Sequence, residues 1–189
     1  MNAVLKDILP KGPRVLHAGA GGSKVPADYF PGFDEVTLDI DGRSKPDMVG
    51  SMVDMDFIPD GCFEAAYTSH TLEHVYPHEV RRCLWNFLRV LKPGGCLVVT
   101  VPNLEGVQPT TEVLYESASG PICGLDMYYG HHAMIEESPF MAHKCGFVEE
   151  TLRGAIESVG FVNVRIDKDK FYNLTAIAQK APAEECPKC

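Results

Sequence analysis

The sequence predicts a single α/β domain with a mostly parallel seven-stranded sheet, an antiparallel last strand and flanking helices. Short apolar runs typical of buried strands alternate along the chain with helical or turn-rich segments. Parallel strands require such crossover connections, so this order favours a parallel sheet. The final two runs, at 161–166 and 173–179, follow each other closely and alternate in polarity, which indicates a strand that returns antiparallel to its neighbour.

The first predicted strand runs directly into a glycine-rich turn. Residues 15–22 read VLHAGAGG, a hydrophobic stretch followed by residues that let backbone N–H groups approach a ligand closely. A second apolar run, VTLDID at 36–41, ends in acidic residues. A carboxylate at that position can accept hydrogen bonds from both hydroxyls of a ribose. Together these features predict the opening of a Rossmann-type nucleotide site.

The middle of the chain supplies the remaining strands and the main helix. Residues 47–52 predict a short third strand, 63–69 a fourth and 96–101 a buried fifth. Apolar residues recur every three or four positions over 78–91, which predicts an amphipathic helix. The KPGG sequence that follows predicts its end, with glycine at the C-cap. Another helix is predicted over 149–160, with Gly160 as its cap, and the turn-rich segment 24–34 leaves room only for a short helix.

Composition restricts the possible partners and location. The chain has 17 basic and 26 acidic residues and a net charge of −9, which argues against non-specific binding to nucleic acid or anionic membranes. No secretory signal is evident, and no apolar run approaches the roughly 18 residues that span a bilayer. The 7 cysteines are an odd number and lie mostly in apolar runs, so we expect free thiols and a cytoplasmic location.

We expect the domain to occupy residues 1–180, followed by a flexible tail at 181–189. The Cys-x-x-Cys sequence at 186–189 lies in this tail without a second cysteine pair or a nearby histidine, so we expect no essential role for it. Residues 104–147 lack a clean periodicity and contain many of the aromatic residues and histidines. We predict that this segment forms a lid over the site.

Four sequence blocks stand out along the chain: LHAGAGG at 16–22, LDID at 38–41, SHTLEH at 69–74 and RVLKPGG at 89–95. They resemble the corresponding blocks of class I S-adenosylmethionine (SAM)-dependent methyltransferases, in particular a small bacterial, type 11-like group. A further pair, LDMYYGHH at 125–132 and FMAHKCGF at 140–147, is similar to a signature of one subgroup. The resemblance extends over about residues 14–180. It implies the class I methyltransferase fold, SAM as the cofactor and S-adenosylhomocysteine as the product.

The resemblance also implies roles for the glycine turn and the acid. Gly19 and Gly21 would pass under the methionine part of SAM, and Asp39 would accept hydrogen bonds from O2′ and O3′ of the ribose. Most class I enzymes have an acid where this chain has His17, and that acid reaches the methionine amino group. A neutral histidine cannot supply the charge, so we expect a changed contact there.

Adenine recognition is expected after the third strand, where two assignments are equally good. Ser51 with Met52 stands at the strand end, and Asp54 follows closely. The full set of cofactor-binding residues that we predict is His17, Ala18, Gly19, Ala20, Gly21, Asp39, Ile40, Ser51, Met52, Asp54, Ser69 and His70.

The fourth strand ends where the family places the loop beside the reacting methyl group. His70 could line the acceptor site or act there as a base, or it could simply bond to nearby backbone. Glu73 and His74 open the next segment, and both could serve only to fix that loop.

The remaining catalytic candidates, Tyr129, His131 and His143, lie in the predicted cover. Their polar tips on apolar bodies suit a lid over a small or planar acceptor, although surface or packing roles are equally open. His131, His132 and His143 could instead bind a metal, because imidazole is a good ligand for zinc, copper, iron and nickel. Their spacing matches no standard metal motif, so we predict no metal site.

The resemblance implies a methyltransferase that acts on an unidentified, small-molecule acceptor by in-line displacement, as a monomer or homodimer. The alternative is a SAM-binding protein without activity of its own that acts with a partner. An NAD-dependent enzyme would need a third glycine at the start of the first helix, where residues 24–26 read KVP. The chain also lacks the Asn/Asp-Pro-Pro-Tyr/Phe block of amino-methyltransferases, so nucleobases and glutamine are disfavoured as acceptors.

Overall fold

A computed structural model describes residues 12–117 and 119–183 of the chain. Seven of its strands form the central sheet, in the order β3-β2-β1-β4-β5-β9-β8. These strands are β1 (Arg14–Ala18), β2 (Asp34–Asp39), β3 (Met48–Val49), β4 (Phe63–Ser69), β5 (Leu91–Pro102), β8 (Phe161–Lys168) and β9 (Asn173–Lys180).

Strand directions confirm the predicted fold class. β1 pairs in parallel with both β2 and β4, β2 with β3, and β4 with β5. The last strand, β9, lies between β5 and β8 and is antiparallel to both. The carboxyl ends of β1, β2 and β4 therefore meet at one edge of the sheet, which is where ligands bind in open α/β folds.

Two amphipathic helices cover one face of the sheet. Helix α1 (Pro77–Val90) buries Leu84 and Phe87, and helix α4 (Glu149–Ser158) buries Leu152 and Ile156 in the same core cluster. Cys83 of α1 is fully buried as well, and this burial raises the pKa of its thiol to about 12.

The predicted glycine C-cap of the main helix is wrong. Helix α1 ends at Val90, and its cap, Leu91, already has the extended backbone of a strand, with φ −74° and ψ 143°. Leu91 is fully buried and pairs with Phe63 of β4, so sheet pairing ends the helix before the glycines are reached. Gly160, in contrast, directly follows the cap of α4 with a φ of 107°, as expected of a glycine that ends a helix.

The opposite face of the sheet has a smaller core and no helix from the segment that follows β1. Val15, Ala65 and Tyr67 are buried there, and Phe30 and Phe33 pack against them. Residues 19–33 consist of turns and irregular backbone. These two phenylalanines therefore shield this face of the sheet, as a first helix would otherwise do.

Residues 103–147 connect β5 to α4 through several short elements. They comprise β6 (Val113–Ser117), β7 (Gly120–Cys123), α2 (Gly124–Tyr129) and α3 (His132–Glu137). β6 and β7 form a separate antiparallel hairpin, and Val107, Ile122 and Met127 give this region a small core of its own. We call residues 103–147 the cover.

The structure also bears on the expectations for cysteines and membranes. The cysteines within the described residues, at positions 62, 83, 96, 123 and 145, are free thiols. The Cys-x-x-Cys sequence at 186–189 lies outside the described residues. Among the helices that are described, none has the length and apolar character needed to cross a membrane.

Candidate active site

A cavity of about 710 Å³ opens at the carboxyl ends of β1, β2 and β3. Its walls include the glycine turn at Gly19 and Gly21, the end of β2 at Asp39, and Ser51 and Met52 beyond β3. These segments are distant in sequence and meet because the strands that carry them are adjacent and parallel. The structure thus brings these predicted cofactor-binding residues together around one space.

The acid of β2 holds the glycine turn in place. Asp39 is 8% exposed; its Oδ2 accepts a hydrogen bond from the N–H of Gly21 at 2.7 Å, and its Oδ1 accepts one from the N–H of Asp41 at 2.8 Å. A carboxylate oxygen can accept more than one hydrogen bond, so the carboxylate retains acceptor capacity toward the cavity.

Gly19 is required by both its backbone and its surroundings. Its φ is +74°, a conformation that is costly for other residues, and a Cβ there would lie 2.2 Å from the side chain of Thr71. Its N–H donates to the carbonyl of Leu38 at 2.8 Å, which ties the turn to β2. Thr71 itself lines the cavity and is a contact that the sequence does not reveal.

Beyond β3, Ser51 and Met52 line the cavity, and Val53 continues the wall. The Oγ of Ser51 accepts a hydrogen bond from the N–H of Val53 at 3.1 Å. Asp54, the other candidate for reading adenine, lies outside the lining. Ile40 forms part of the wall as well and is 47% exposed, which makes it available to an apolar ring.

His17 points away from the cavity. It is 1% exposed, its Nδ1 lies 2.6 Å from Oε1 of Glu35, and its ring meets that of Tyr67 edge-on. Side chains alternate along a strand, so His17 shares the Tyr67 face while Leu16 faces the main core. Ala18, Ala20 and Ser69 of the predicted set also lie outside the cavity lining.

A second cavity, of about 510 Å³, adjoins the first. His74, Met134 and Met141 line both, so the two cavities adjoin at these residues. The second cavity lies beneath the cover, which contributes aromatic and polar residues such as Tyr115 and Asp126. The sequence does not predict these contacts individually, because the cover consists of short elements without periodicity.

His70 and Glu73 lie together at the second cavity. His70 has a left-handed φ of 49°, and its Nδ1 is 3.6 Å from Oε1 of Glu73. Burial lowers the pKa of His70, but attraction to Glu73 and Asp169 outweighs burial and the pKa is raised. For Glu73, burial raises the pKa, but attraction to the surrounding histidines outweighs it and the pKa is lowered.

His74 and His143 lie beside Glu73, with their rings 5.0 Å apart in an edge-on arrangement. Burial lowers the pKa of His143. Cys145 follows closely, with its Sγ 3.5 Å from the carbonyl oxygen of Leu72. Burial, together with the charge of Glu73, raises the pKa of the Cys145 thiol to about 11. This region therefore combines one carboxylate with several imidazoles in a largely buried position.

The structure places the other catalytic candidates in two different environments, the second cavity and the surface. His131 and His143 both line the second cavity, and the Nδ1 of His131 is buried without a hydrogen-bond partner among the described residues. Tyr129 is 61% exposed and lines neither cavity. His132 is also at the surface, where its Nδ1 lies 3.2 Å from Oδ1 of Asp126.

Comparison with known proteins agrees with this architecture. Residues 16–99, slightly less than half of the chain, match the family model described as a methyltransferase domain. No curated protein matches the chain by sequence.

Solved structures share the fold at low sequence identity. A SAM-dependent methyltransferase from Archaeoglobus fulgidus aligns with a TM-score of 0.62 and 17% identity over 93% of this chain and 90% of its own. Human N-acetylserotonin methyltransferase in complex with SAM aligns with a TM-score of 0.59 and 14% identity over 89% of this chain and 48% of its own.

A possible exported protein from Bordetella parapertussis aligns with a TM-score of 0.57 and 16% identity over 89% of this chain. The chain spans 63% of that protein, less than two thirds of its length. The match over residues 16–99 and the shared fold agree with the resemblance that the sequence blocks carry. Residues 16–99 match a methyltransferase domain, and the described part of the chain has the fold of SAM-dependent methyltransferases.

Proposed function

We propose that the protein transfers the methyl group of SAM, bound in the first cavity, to a small molecule bound in the second. The observation that carries this proposal is that the two cavities adjoin, with His74, Met134 and Met141 lining both. A methyl donor and its acceptor must come into direct contact, and two adjoining cavities allow this. The second cavity, about 510 Å³, has the size of a small-molecule site.

In this proposal the first cavity binds the three parts of SAM in separate places. The methionine part lies over Gly19 and Gly21, and the ribose hydroxyls donate to the carboxylate of Asp39. Adenine lies between Ile40 and Met52, which line the cavity together with Ser51. Ser51 is preferred to Asp54 for reading the adenine edge because, of these two, Ser51 alone lines the cavity.

Methyl transfer needs mainly alignment, because the sulfonium already makes the methyl group electrophilic. Holding the acceptor atom in line with the S–CH₃ bond can contribute about 7–11 kcal/mol in favourable cases. The bond from the acceptor atom to the methyl carbon forms as the C–S bond breaks, and the C–S electron pair stays on sulfur. The acceptor, when it is a hydroxyl or a protonated amine, loses one proton.

We assign the acceptance of this proton to His70. Its side chain lines the second cavity and is 47% exposed, so it is accessible to a bound acceptor. Its Nδ1 lies 3.6 Å from the buried carboxylate of Glu73, whose negative charge favours the protonated imidazole, and Nε2 is the nitrogen that takes the proton. His131 and His143 line the same cavity and are the other candidates for contacts with the acceptor.

Calorimetry with S-adenosylhomocysteine tests the cofactor assignment. Asp39→Ala removes two charge-assisted hydrogen bonds to the ribose, so we expect the Kd to rise by about 100-fold or more. Asp56→Ala is the matched control, because Asp56 is 69% exposed and lies outside the cavity lining. Equal affinity in the two variants, in proteins with unchanged melting temperature, would contradict the proposed cofactor position.

A transfer assay tests the reaction itself. Radiolabelled SAM is incubated with the protein and fractionated small-molecule extracts, and label transfer is followed. We expect transfer that depends on Asp39. Binding of S-adenosylhomocysteine without transfer in any fraction would favour the alternative, a SAM-binding protein that acts with a partner. Exposed apolar residues of the cover, Val113 and Tyr129, are the surface to examine for such a partner.

A further inference from the structure

We propose that Glu73, His74 and His143 form a binding site for a divalent transition-metal ion beside the acceptor cavity. One ligand atom from each residue lies within 4.8 Å of the others. Two imidazole nitrogens and one carboxylate oxygen are a donor set used by catalytic zinc and by non-haem iron. The set departs from the expectation of no metal site, and of the histidines considered there as possible ligands (His131, His132 and His143) it includes only His143.

The buried carboxylate is the first argument. Glu73 is 1% exposed, and neither of its carboxylate oxygens has a hydrogen-bond partner among the described residues. The nearest nitrogen of His70 is 3.6 Å away, which is longer than an ordinary hydrogen bond. A buried carboxylate is costly unless a cation or several donors compensate for its lost hydration. A metal ion ligated by Glu73 would provide that compensation.

The orientation of the two histidines is the second argument. Nδ1 of His74 lies 3.1 Å from the carbonyl oxygen of Ala142, and Nδ1 of His143 lies 2.9 Å from that of Met127. A carbonyl oxygen can only accept, so each Nδ1 carries the hydrogen and each Nε2 keeps a free electron pair. A backbone carbonyl that holds the far nitrogen in this way is the usual support of a metal-binding histidine.

Backbone hydrogen bonds hold the contributing segments together. The carbonyl of Glu73 accepts from the N–H groups of Lys144 at 2.8 Å and Cys145 at 3.2 Å, and the N–H of His143 donates to the carbonyl of Tyr129 at 3.0 Å. Ligands at zinc–ligand distances of about 2.0–2.1 Å lie about 3.4 Å apart in a tetrahedral site. Closing the cluster therefore requires movements of at most about 1.5 Å, within reach of side-chain rotation.

All three residues line the second cavity, so a metal held by them would have an open coordination position there. Catalytic metal sites keep such a position for water or substrate. A hydroxyl or other heteroatom of the acceptor bound at this position would be oriented and made easier to deprotonate. This role rests on the proposed function, whereas metal binding itself does not.

Metal titration of the purified full-length protein, stripped with a chelator, tests the site. Zn²⁺ is titrated by calorimetry and Co²⁺ by its visible absorption. We expect a tight site that Glu73→Gln weakens by at least about 100-fold, because loss of a supporting partner alone costs about 10–100-fold. His143→Ala, in a distant segment, is expected to have the same effect. His78→Ala, which removes an exposed histidine of α1, should leave binding unchanged.

Two further variants distinguish the Glu73 site from the terminal cysteines and from the cofactor cavity. Cys186 and Cys189 can themselves ligate zinc, so serine at both positions should leave the Glu73-dependent site intact. Asp39→Ala should lose S-adenosylhomocysteine binding but keep Co²⁺ binding, so that each proposal can fail without the other. Wild-type protein that binds neither metal below about 10 µM, or folded Glu73→Gln that binds as tightly as wild type, would overturn the site.

Discussion

The first cavity and the second cavity beneath the cover are built in different ways. In the first, Gly19, Asp39 and Ser51 each stand at the end of a strand or in the turn that follows it, and the parallel sheet brings them together. At the second cavity, Glu73 lies beside His143, which is seventy residues later in the chain and belongs to the cover, a segment of short elements with a small core. The grouping of residues at strand ends therefore follows from local sequence, whereas the grouping at the second cavity depends on how the cover folds against the sheet.

The strongest test of this contrast is His70→Ala, because His70 lines the second cavity and not the first. Loss of a general base lowers methyl transfer by about 10²–10⁴-fold toward an acceptor that must lose a proton. We expect the Kd of S-adenosylhomocysteine to stay within about twofold of wild type. Turnover is measured with labelled SAM and binding by calorimetry, with His78→Ala as the control. An equal loss of binding and turnover would show that His70 also supports cofactor binding, so that the two cavities do not act separately.

Gly19→Ala is the converse test, directed at the first cavity. Its Cβ would meet the side chain of Thr71, and its φ is left-handed, so the turn must distort. We expect a loss of about 1–3 kcal/mol in the free energy of unfolding, measured by urea denaturation, with weakened S-adenosylhomocysteine binding. Gly21→Ala shares the positive φ but has no atom within 4 Å of its Cβ. A smaller effect there would separate crowding from backbone strain.

How much of the molecule can be predicted from sequence depends on how far apart the interacting residues lie. The parallel sheet is predictable from the order of apolar runs. The positions of Gly19 and Asp39 at the carboxyl edge of the sheet are predictable as well, because a glycine turn and a strand end are each recognisable within a few neighbouring residues. Glu73 is expected only to fix a loop, since nothing near it in sequence reveals that His143 lies beside it. His17 fits the glycine-turn motif, yet strand alternation turns it to the other face of the sheet, toward Glu35.

The smallest expected effect concerns the stability of the cover. Asp126 accepts a hydrogen bond from the N–H of Cys123 at 2.9 Å at the start of α2. Burial raises the pKa of Asp126, but its hydrogen bonds with Cys123 and His132 outweigh burial, and the pKa is lowered from its ordinary value of 3.8. Asp126→Ala should cost about 1 kcal/mol at neutral pH.

The pH dependence of that cost follows from the lowered pKa. A carboxyl whose pKa is lower in the folded state stabilises the protein above its unfolded pKa, near 3.8, and loses this contribution as the pH falls through its folded pKa. The difference between wild type and Asp126→Ala, measured by denaturation at about pH 7 and again near pH 3, should therefore shrink. A constant difference would mean that Asp126 acts through packing.

The thiols of Cys83 and Cys145 can serve as probes of local opening. Cys83 is fully buried in α1, whereas Cys145 is only partly covered and lies at the point where the cover meets the Glu73 loop. With pKa values of about 12 and about 11, both react slowly while the native packing persists. The alkylation rate of each thiol would therefore report a different opening of the structure. Alkylation of Cys83 would report unfolding of the main core, and alkylation of Cys145 would report local opening of the cover.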